Sequence, residues 1–92
     1  MAEASSSTES LLDFPVDFPI KVMGRTQPGF AQAILEVVQT HAADFRAETV
    51  EIRASREGRY LSLTFTVRAT SREQLDTLYR ELCDHPMVTM VL

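Results

Sequence analysis

The sequence predicts an α+β fold of two layers, with two helices on one face of a four-stranded antiparallel sheet of order 4-1-3-2. Three observations support this prediction. The predicted elements follow the order βαββαβ, each helical segment carries one apolar stripe, and the longest strand alternates apolar and polar residues over ten positions. Helices with a single stripe each have to cover the same sheet face. Right-handed crossovers then place the first and third strands in the centre.

Length and composition restrict the class of protein. The chain has 92 residues, 45% of them hydrophobic, and a net charge of -4, so we expect one small domain over residues 11–92 and no overall attraction for nucleic acid. Residues 1–10 contain no apolar side chain larger than alanine after Met1, which predicts a disordered tail. No apolar run reaches the roughly 18 residues of a membrane span. The single Cys83 favours a reducing compartment, the cytoplasm.

The N-terminal half contains the first strand and the first helix. Residues 11–19 are apolar but contain two prolines, so we expect an extended lead-in that packs on the domain. Residues 18–24 alternate and predict the first strand. A helix is expected over residues 28–42, since Pro28 suits a first turn in which its missing N–H loses no partner.

The C-terminal half contains the remaining strands and the second helix. Residues 50–55 predict a strand with a charged outward face, and residues 60–69 predict the long third strand after a glycine-containing hairpin turn. Two capping boxes are compatible with the start of the second helix, Thr70 with Glu73 or Ser71 with Gln74. The last six residues, 87–92, predict a fourth strand with Val88 and Met90 directed inward.

This arrangement is a ferredoxin-like sandwich whose second sheet face has no helix. A set of side chains predicted for the strand-one and strand-four side of that face forms a candidate interaction surface. Its members are Lys21, Met23, Met87, Thr89 and Val91. Methionine-containing apolar patches on an uncovered sheet are plausible contact surfaces for a protein partner or a second copy of the chain. The alternative is that residues 11–19 fold over this face and cover it.

Five short motifs resemble the YbeD family of ACT-like bacterial proteins. They include Phe-Pro-Val-Asp-Phe at residues 14–18, Lys-Val-Met-Gly at residues 21–24 and Val-Thr-Met-Val-Leu at residues 88–92; the others lie within residues 36–41 and 55–62. The resemblance covers the chain after its N-terminal tail. It implies a ferredoxin-like fold similar to that of ACT regulatory domains, with no established biochemical activity.

The loop between the first strand and the first helix is similar to the corresponding loop of ACT domains, which often contacts a bound amino acid. Its candidate ligand-binding residues are Gly24, Arg25, Gln27, Pro28 and Gly29. A small carboxylate could dock at the free N–H groups of the helix beside Arg25. Gln27 stands where the family frequently has Asp or Asn. The alternative is structural, with Gly24 relieving a tight turn and Arg25 solvated.

No set of residues predicts catalysis, a metal site or a cofactor. Cys83 and His85, even with His41, lack a standard metal-ligand spacing and a fourth ligand, and no third group orients a Cys and His pair. RNA-recognition domains share the element order but stack bases on aromatic side chains of strands one and three. Here that open face offers Tyr60 alone, so nucleic acid is a minor alternative.

Two hypotheses of function follow from the sequence. The first is a non-enzymatic accessory or regulatory protein that binds a protein partner through the open sheet face or an edge strand. The second is an ACT-type sensor that binds an amino acid or a small carboxylate at the strand-to-helix loop, between two subunits.

Overall fold

Four strands and two helices make up residues 14–92, the part of the chain that this computed structural model describes. They are β1 (Val16–Arg25), α1 (Phe30–His41), β2 (Glu51–Ala54), β3 (Tyr60–Ala69), α2 (Arg72–Asp84) and β4 (Met90–Val91). The strands form one antiparallel sheet of order β2-β3-β1-β4, which is the predicted order in reverse. The predicted fold is therefore confirmed. The predicted tail and residues 11–13 of the lead-in lie outside the described residues.

β1 and β3 form the centre of the sheet. They pair over ten residues, from Val16 opposite Ala69 to Arg25 opposite Tyr60. Alternation places one apolar set of side chains under the helices. These side chains are at most 1% exposed: Ile20, Val22, Leu63, Phe65, Val67 and Ala69. The alternation predicted for these two strands is confirmed.

The helices complete the core with one stripe each. The buried residues are Phe30, Ile34 and Val38 in α1 and Leu75, Leu78 and Leu82 in α2. Their spacing of three and four residues is that of one helix face. Among residues 14–92, no polar or charged side chain is buried, so apolar packing alone holds the two layers together.

Gln74 joins the ends of both helices. The Ser71 hydroxyl oxygen accepts a hydrogen bond from the Gln74 backbone N–H at 3.1 Å, which confirms Ser71 as the N-cap; the return bond of the predicted capping box reaches the Thr70 N–H and not the Ser71 N–H. The Gln74 carboxamide oxygen accepts from the Thr70 N–H, and its Nε2 donates to the His41 carbonyl, each at 2.6 Å. One side chain therefore satisfies backbone groups at the start of α2 and at the end of α1.

β1 begins earlier than predicted. Val16 and Phe18 continue the inward alternation and lie opposite Ala69 and Val67. The missing N–H of Pro19 costs no ladder hydrogen bond, because it faces the side of β1 where β4 does not extend. The Phe18 ring packs edge-on against Tyr79 of α2, with 6.3 Å between the ring centroids. Residues 14–19 therefore pack with the helices and do not cover the open sheet face.

The predicted start of α1 was wrong. The helix begins at Phe30, and Gly29 before it has a φ of 81°, in the left-handed region. A left-handed residue ends helical geometry, so Pro28 lies in the preceding turn and not in the first turn of the helix.

The predicted orientation of the last strand was also wrong in part. Val91 lies opposite the buried Val22 and packs against the core, whereas Met90 lies opposite Met23 and is 48% exposed. Met87 and Val88 both pack against the core. A turn closed by the Val88 N–H and the His85 carbonyl at 3.0 Å precedes β4. This turn breaks the alternation, and a shift of one residue exchanges the two faces of a strand.

Candidate functional site

The loop after β1 is fixed against the hairpin that joins β2 to β3. The Thr26 N–H donates to the Arg59 carbonyl at 2.8 Å, and the Thr26 hydroxyl donates to the Gly58 carbonyl at 2.6 Å. Between loop and hairpin lies an open cleft of about 490 Å³. It is lined by Arg25, Thr26, Gln27, Gly58 and Arg59. We call this the loop cleft.

Two of the five predicted ligand-binding residues, Arg25 and Gln27, line the loop cleft. Pro28 and Gly29 are exposed but do not line it, and Gly24 is buried. The expectation of a tight turn at Gly24 was also wrong. The glycines with a positive φ are Gly29 and Gly58, whereas Gly24 lies within β1. Gly24 is required for a close approach: a Cβ at this position would collide with the Phe30 ring and the Met87 carbonyl oxygen.

Three residues of the loop cleft were not predicted from the sequence: Thr26, Gly58 and Arg59. Gly58 was identified only as a turn residue. A signal for its position was available, because adjacent antiparallel strands bring the end of β1 next to the start of β3. Arg25 indeed lies opposite Tyr60.

The electrostatics of the loop cleft favour an anion. Arg25 and Arg59 carry permanent positive charges, and Glu57 offsets one of them, with its Oε1 3.3 Å from Nε of Arg59. The start of α1 is next to Gln27. Gly29 provides no side-chain cap there, and the first turn holds no acidic residue. The residues at the start of α1 do not line the cleft, so the two guanidinium groups are what could bind a small carboxylate there.

A second candidate surface lies on the open face beside β4. It comprises Lys21, Met23, Met90 and Leu92, which we call the β4 patch. Lys21 and Leu92 exchange backbone hydrogen bonds of 3.1 and 2.8 Å, which places them opposite each other, as Met23 and Met90 are. Met90 and Leu92 are 48% and 61% exposed. The patch is therefore an apolar surface around one lysine.

The β4 patch differs in composition from the predicted interaction surface. Lys21 and Met23 are in the predicted place, and Thr89 is exposed at the edge, where its N–H donates to the Met23 carbonyl at 2.8 Å. Met87 and Val91 pack against the core instead, so their assignment to the open face was wrong. Because residues 87–92 are apolar at both odd and even positions, alternation could not decide the orientation of β4.

His41 of α1 and Glu81 of α2 are titratable side chains that lie close together. His41 Nε2 lies 3.0 Å from Glu81 Oε1, but the angle does not make a hydrogen bond. Burial, and to a smaller extent the neighbouring Cys83, raise the pKa of the Tyr79 phenol.

Within residues 14–92, no group of three or more His, Cys, Asp or Glu side chains could hold a metal ion. Neither helix of residues 14–92 has the length and the apolar character that a membrane span requires.

Comparison with known proteins identifies the family. Residues 9–92 match the family described as "Protein of unknown function (DUF493)". The chain belongs to this family. It is 61% identical over 84 residues to a UPF0250 protein of Nitrosomonas europaea, covering 91% of this chain and 97% of that one. A UPF0250 protein of Bordetella pertussis is also 61% identical over 84 residues, covering 91% and 92% of the two chains. The predicted YbeD-like family is thus confirmed.

Solved structures support the ACT-like fold. Protein HP0495 from H. pylori superimposes with a TM-score of 0.71 at 13% identity, covering 88% of this chain and 85% of that one. The ACT domain from GTP pyrophosphokinase of Chlorobium tepidum superimposes with a TM-score of 0.61 at 20% identity, covering 84% and 97%. At these identities the likeness concerns the fold alone.

Proposed function

We propose that the protein is a non-enzymatic accessory or regulatory module that binds a protein partner through the β4 patch. The observation that carries this proposal is the exposure of Met90 and Leu92 on a sheet face that neither helix of residues 14–92 covers. Exposed apolar groups on such a face favour association, and methionine adapts to irregular partner surfaces. The ACT-like fold is a supporting context, since such domains are typically regulatory.

The composition of the β4 patch defines the chemistry of the partner. Three apolar side chains lie beside Lys21 on the open face, and Thr64 lies opposite it on β3, so the matching segment presents apolar residues next to one carboxylate. Burying Met90 in such a contact would contribute at most about 1.5–3 kcal/mol, the value for a fully buried side chain of this size. A contact of this kind suits a reversible regulatory interaction.

Site-specific crosslinking tests the proposal. A photoreactive amino acid placed at position 90 in living cells should crosslink to one protein, and the same group at the exposed position of Glu36 on α1 should not. The purified partner should then bind Met90→Glu at least about tenfold more weakly, which corresponds to about 1.4 kcal/mol. Glu36→Gln is the matched control and should bind as the wild type does. Equal binding of both variants would exclude the β4 patch.

The loop cleft supports a second candidate function, a sensor of an amino acid or small carboxylate. The specific observation is that two arginines from distant parts of the sequence, Arg25 and Arg59, line one cleft of about 490 Å³. A carboxylate there would meet two guanidinium groups, which bind such anions in bidentate geometry.

Thermal unfolding in the presence of amino acids and metabolic carboxylates tests the sensor. A ligand at a hundred times its dissociation constant adds about 2.7 kcal/mol of stability. The shift should disappear in Arg25→Ala and in Arg59→Ala. It should persist in Arg46→Ala, which removes an equally exposed arginine outside the cleft. No shift with any carboxylate, or a shift that survives both cleft variants, would reject this function.

A further inference from the structure

A hollow on the open sheet face lies beside the loop cleft. Ser62 of β3 lies opposite Met23 of β1 on one side and opposite Arg53 of β2 on the other, so a small side chain stands between two long ones. The resulting depression has a volume of about 220 Å³, and Tyr60 lines it. We call it the Ser62 hollow. We infer that a nucleoside phosphate binds here, with its base in the Ser62 hollow and its phosphate in the loop cleft.

The walls of the Ser62 hollow suit a planar ring. Met23 and Arg53 are two strand spacings apart, about 9.5 Å, which leaves space for one ring between their side chains. A guanidinium group stacks on aromatic rings, and a thioether makes favourable contacts with them. The Ser62 hydroxyl at the floor can donate or accept a hydrogen bond. A nucleobase fits this site because it combines a planar ring with hydrogen-bonding groups along its edge.

Tyr60 connects the Ser62 hollow to the loop cleft. It lies opposite Arg25, and opposed side chains of antiparallel strands share one face with their Cβ atoms about 4.5–5.5 Å apart. Arg25 in turn lines the loop cleft. Tyr60 is 37% exposed, so part of its ring is open to a ligand. The ring site and the anion site are therefore neighbours on one surface.

The local charge favours a phosphate over a single carboxylate. A further depression at the hairpin lies between the Ser62 hollow and the loop cleft and shares Tyr60 with the first and Arg59 with the second. Among the described residues that line the three depressions are four arginines and one acidic residue: Arg25, Arg53, Arg56, Arg59 and Glu57. A phosphate monoester carries about -1.5 to -2 charges at pH 7, and guanidinium groups bind its oxygens in bidentate geometry.

The distance between the two sites fits a ribose. Met23 beside the hollow and Arg25 at the cleft are two residues apart along β1, about 7 Å. A phosphate bonded directly to a ring would not span this distance, whereas in a nucleotide the ribose separates the base from the phosphate. Tyr60 is the one aromatic residue that lines these depressions. Single-stranded nucleic acids stack successive bases on several aromatic side chains, so one aromatic side chain favours a free nucleotide.

Methyl NMR of the full chain, labelled at its four methionines, tests the inference. The probes are the 5′-monophosphates of adenosine, guanosine, cytidine and uridine, up to millimolar concentration. A base in the Ser62 hollow should shift the Met23 methyl resonance through its ring current. The Met87 methyl packs against the core and should not move.

Substitutions locate the two halves of the site. Ser62→Leu fills the hollow and should weaken nucleotide binding by about tenfold or more, as should Arg53→Ala, which leaves the floor of the hollow unchanged. Arg25→Ala should weaken it to a similar extent through the phosphate. Thr64→Leu is the matched control, because it adds the same side chain two residues further along the same face of β3, and it should bind as the wild type does.

The inference rests on the loop cleft as an anion site, which it shares with the proposed sensor, but the two can be distinguished. A carboxylate held in the loop cleft alone should still bind to Ser62→Leu. Met90→Glu removes the proposed partner contact and should leave nucleotide affinity unchanged, because Met90 does not line the hollow. The inference is overturned if no nucleotide shifts the Met23 methyl, if inorganic phosphate binds as tightly as the nucleotides, or if a single-stranded oligonucleotide binds more tightly than they do.

Discussion

The substitution Gly24→Ala tests the packing under the loop cleft. A Cβ at this position would lie 2.6 and 2.8 Å from two carbon atoms of the Phe30 ring, and closer still to the Met87 carbonyl oxygen. Carbon atoms in favourable contact are about 3.5–4.0 Å apart. Phe30 is 1% exposed, so its ring cannot move aside into solvent. The carbonyl belongs to the backbone before β4, so relief requires a shift of that segment.

The expected loss of stability is about 1–2 kcal/mol. Added methyl groups in a packed core cost about 1–3 kcal/mol. Replacing glycine by alanine within a strand stabilises the fold by about 0.5–1 kcal/mol. Because the Phe30 ring and the Met87 carbonyl are both held in place, we expect the steric cost to exceed this gain. For a domain of this size, each kcal/mol lowers the melting temperature by roughly 4–8 °C, so Gly24→Ala should melt about 4–16 °C lower. Urea unfolding followed by circular dichroism gives the free energy directly.

Gly29 provides the matched comparison. Its φ is 81°, and no atom lies within 4 Å of a Cβ built there, so substitutions strain only the backbone. Asparagine tolerates the left-handed region better than alanine. Gly29→Asn should therefore be more stable than Gly29→Ala. At Gly24 the order should reverse, because asparagine is larger. The steric explanation fails if Gly24→Ala is within about 0.5 kcal/mol of the wild type or if asparagine is preferred at both positions.

Three further predictions concern the helices and β4. Gln74→Glu removes the donor to the His41 carbonyl and adds a negative charge at the end of α1, although that charge is favourable at the start of α2. Urea unfolding should therefore show a net loss of about 1 kcal/mol, and unchanged stability would contradict this bridge. The raised pKa of the Tyr79 phenol means that the folded state favours the neutral form. The free energy of unfolding should therefore fall as the pH rises above about 10, where the unfolded phenol ionises. This decline should be smaller in Tyr79→Phe than in the wild type, and equal declines in the two proteins would show that the Tyr79 phenol does not contribute to it. Val91→Glu should lower the free energy of unfolding by more than about 2 kcal/mol, because it places a charge against the core. Met90→Glu should unfold within about 0.5 kcal/mol of the wild type. The reverse order of stability would support the orientation of β4 predicted from the sequence.

Sequence alone predicted the centre of the sheet because its signal is unambiguous there. In β3, apolar side chains occupy the odd positions from Leu61 to Ala69, and the even positions are polar or aromatic. Only one orientation buries the apolar set. β4 has apolar residues at both parities, so its orientation is decided by tertiary structure, namely the turn after His85 and the pairing of Val91 with Val22.

The candidate sites were predicted less completely than the fold. Arg25 and Gln27 follow from the local loop pattern, but Arg59 reaches the loop cleft through the pairing of β1 with β3, a contact across more than thirty residues of sequence. The exposure of Ile52 could not be predicted either. Its alternation with charged residues is typical of a half-buried strand, and only the position of the helices determines that this edge stays uncovered.

In the described part of the chain, three exposed apolar side chains, Ile52, Met90 and Leu92, lie at the two edges of one sheet. Its interior contains no buried polar or charged side chain, so specific chemistry has to occur at the surface. Ile52 lies on β2 and Met90 on β4, with β3 and β1 between them. Three strand spacings separate these edges by about 14 Å. Substitutions more than about 7–10 Å apart with no shared contacts act independently. Substitutions at the two edges are therefore expected to act independently of each other.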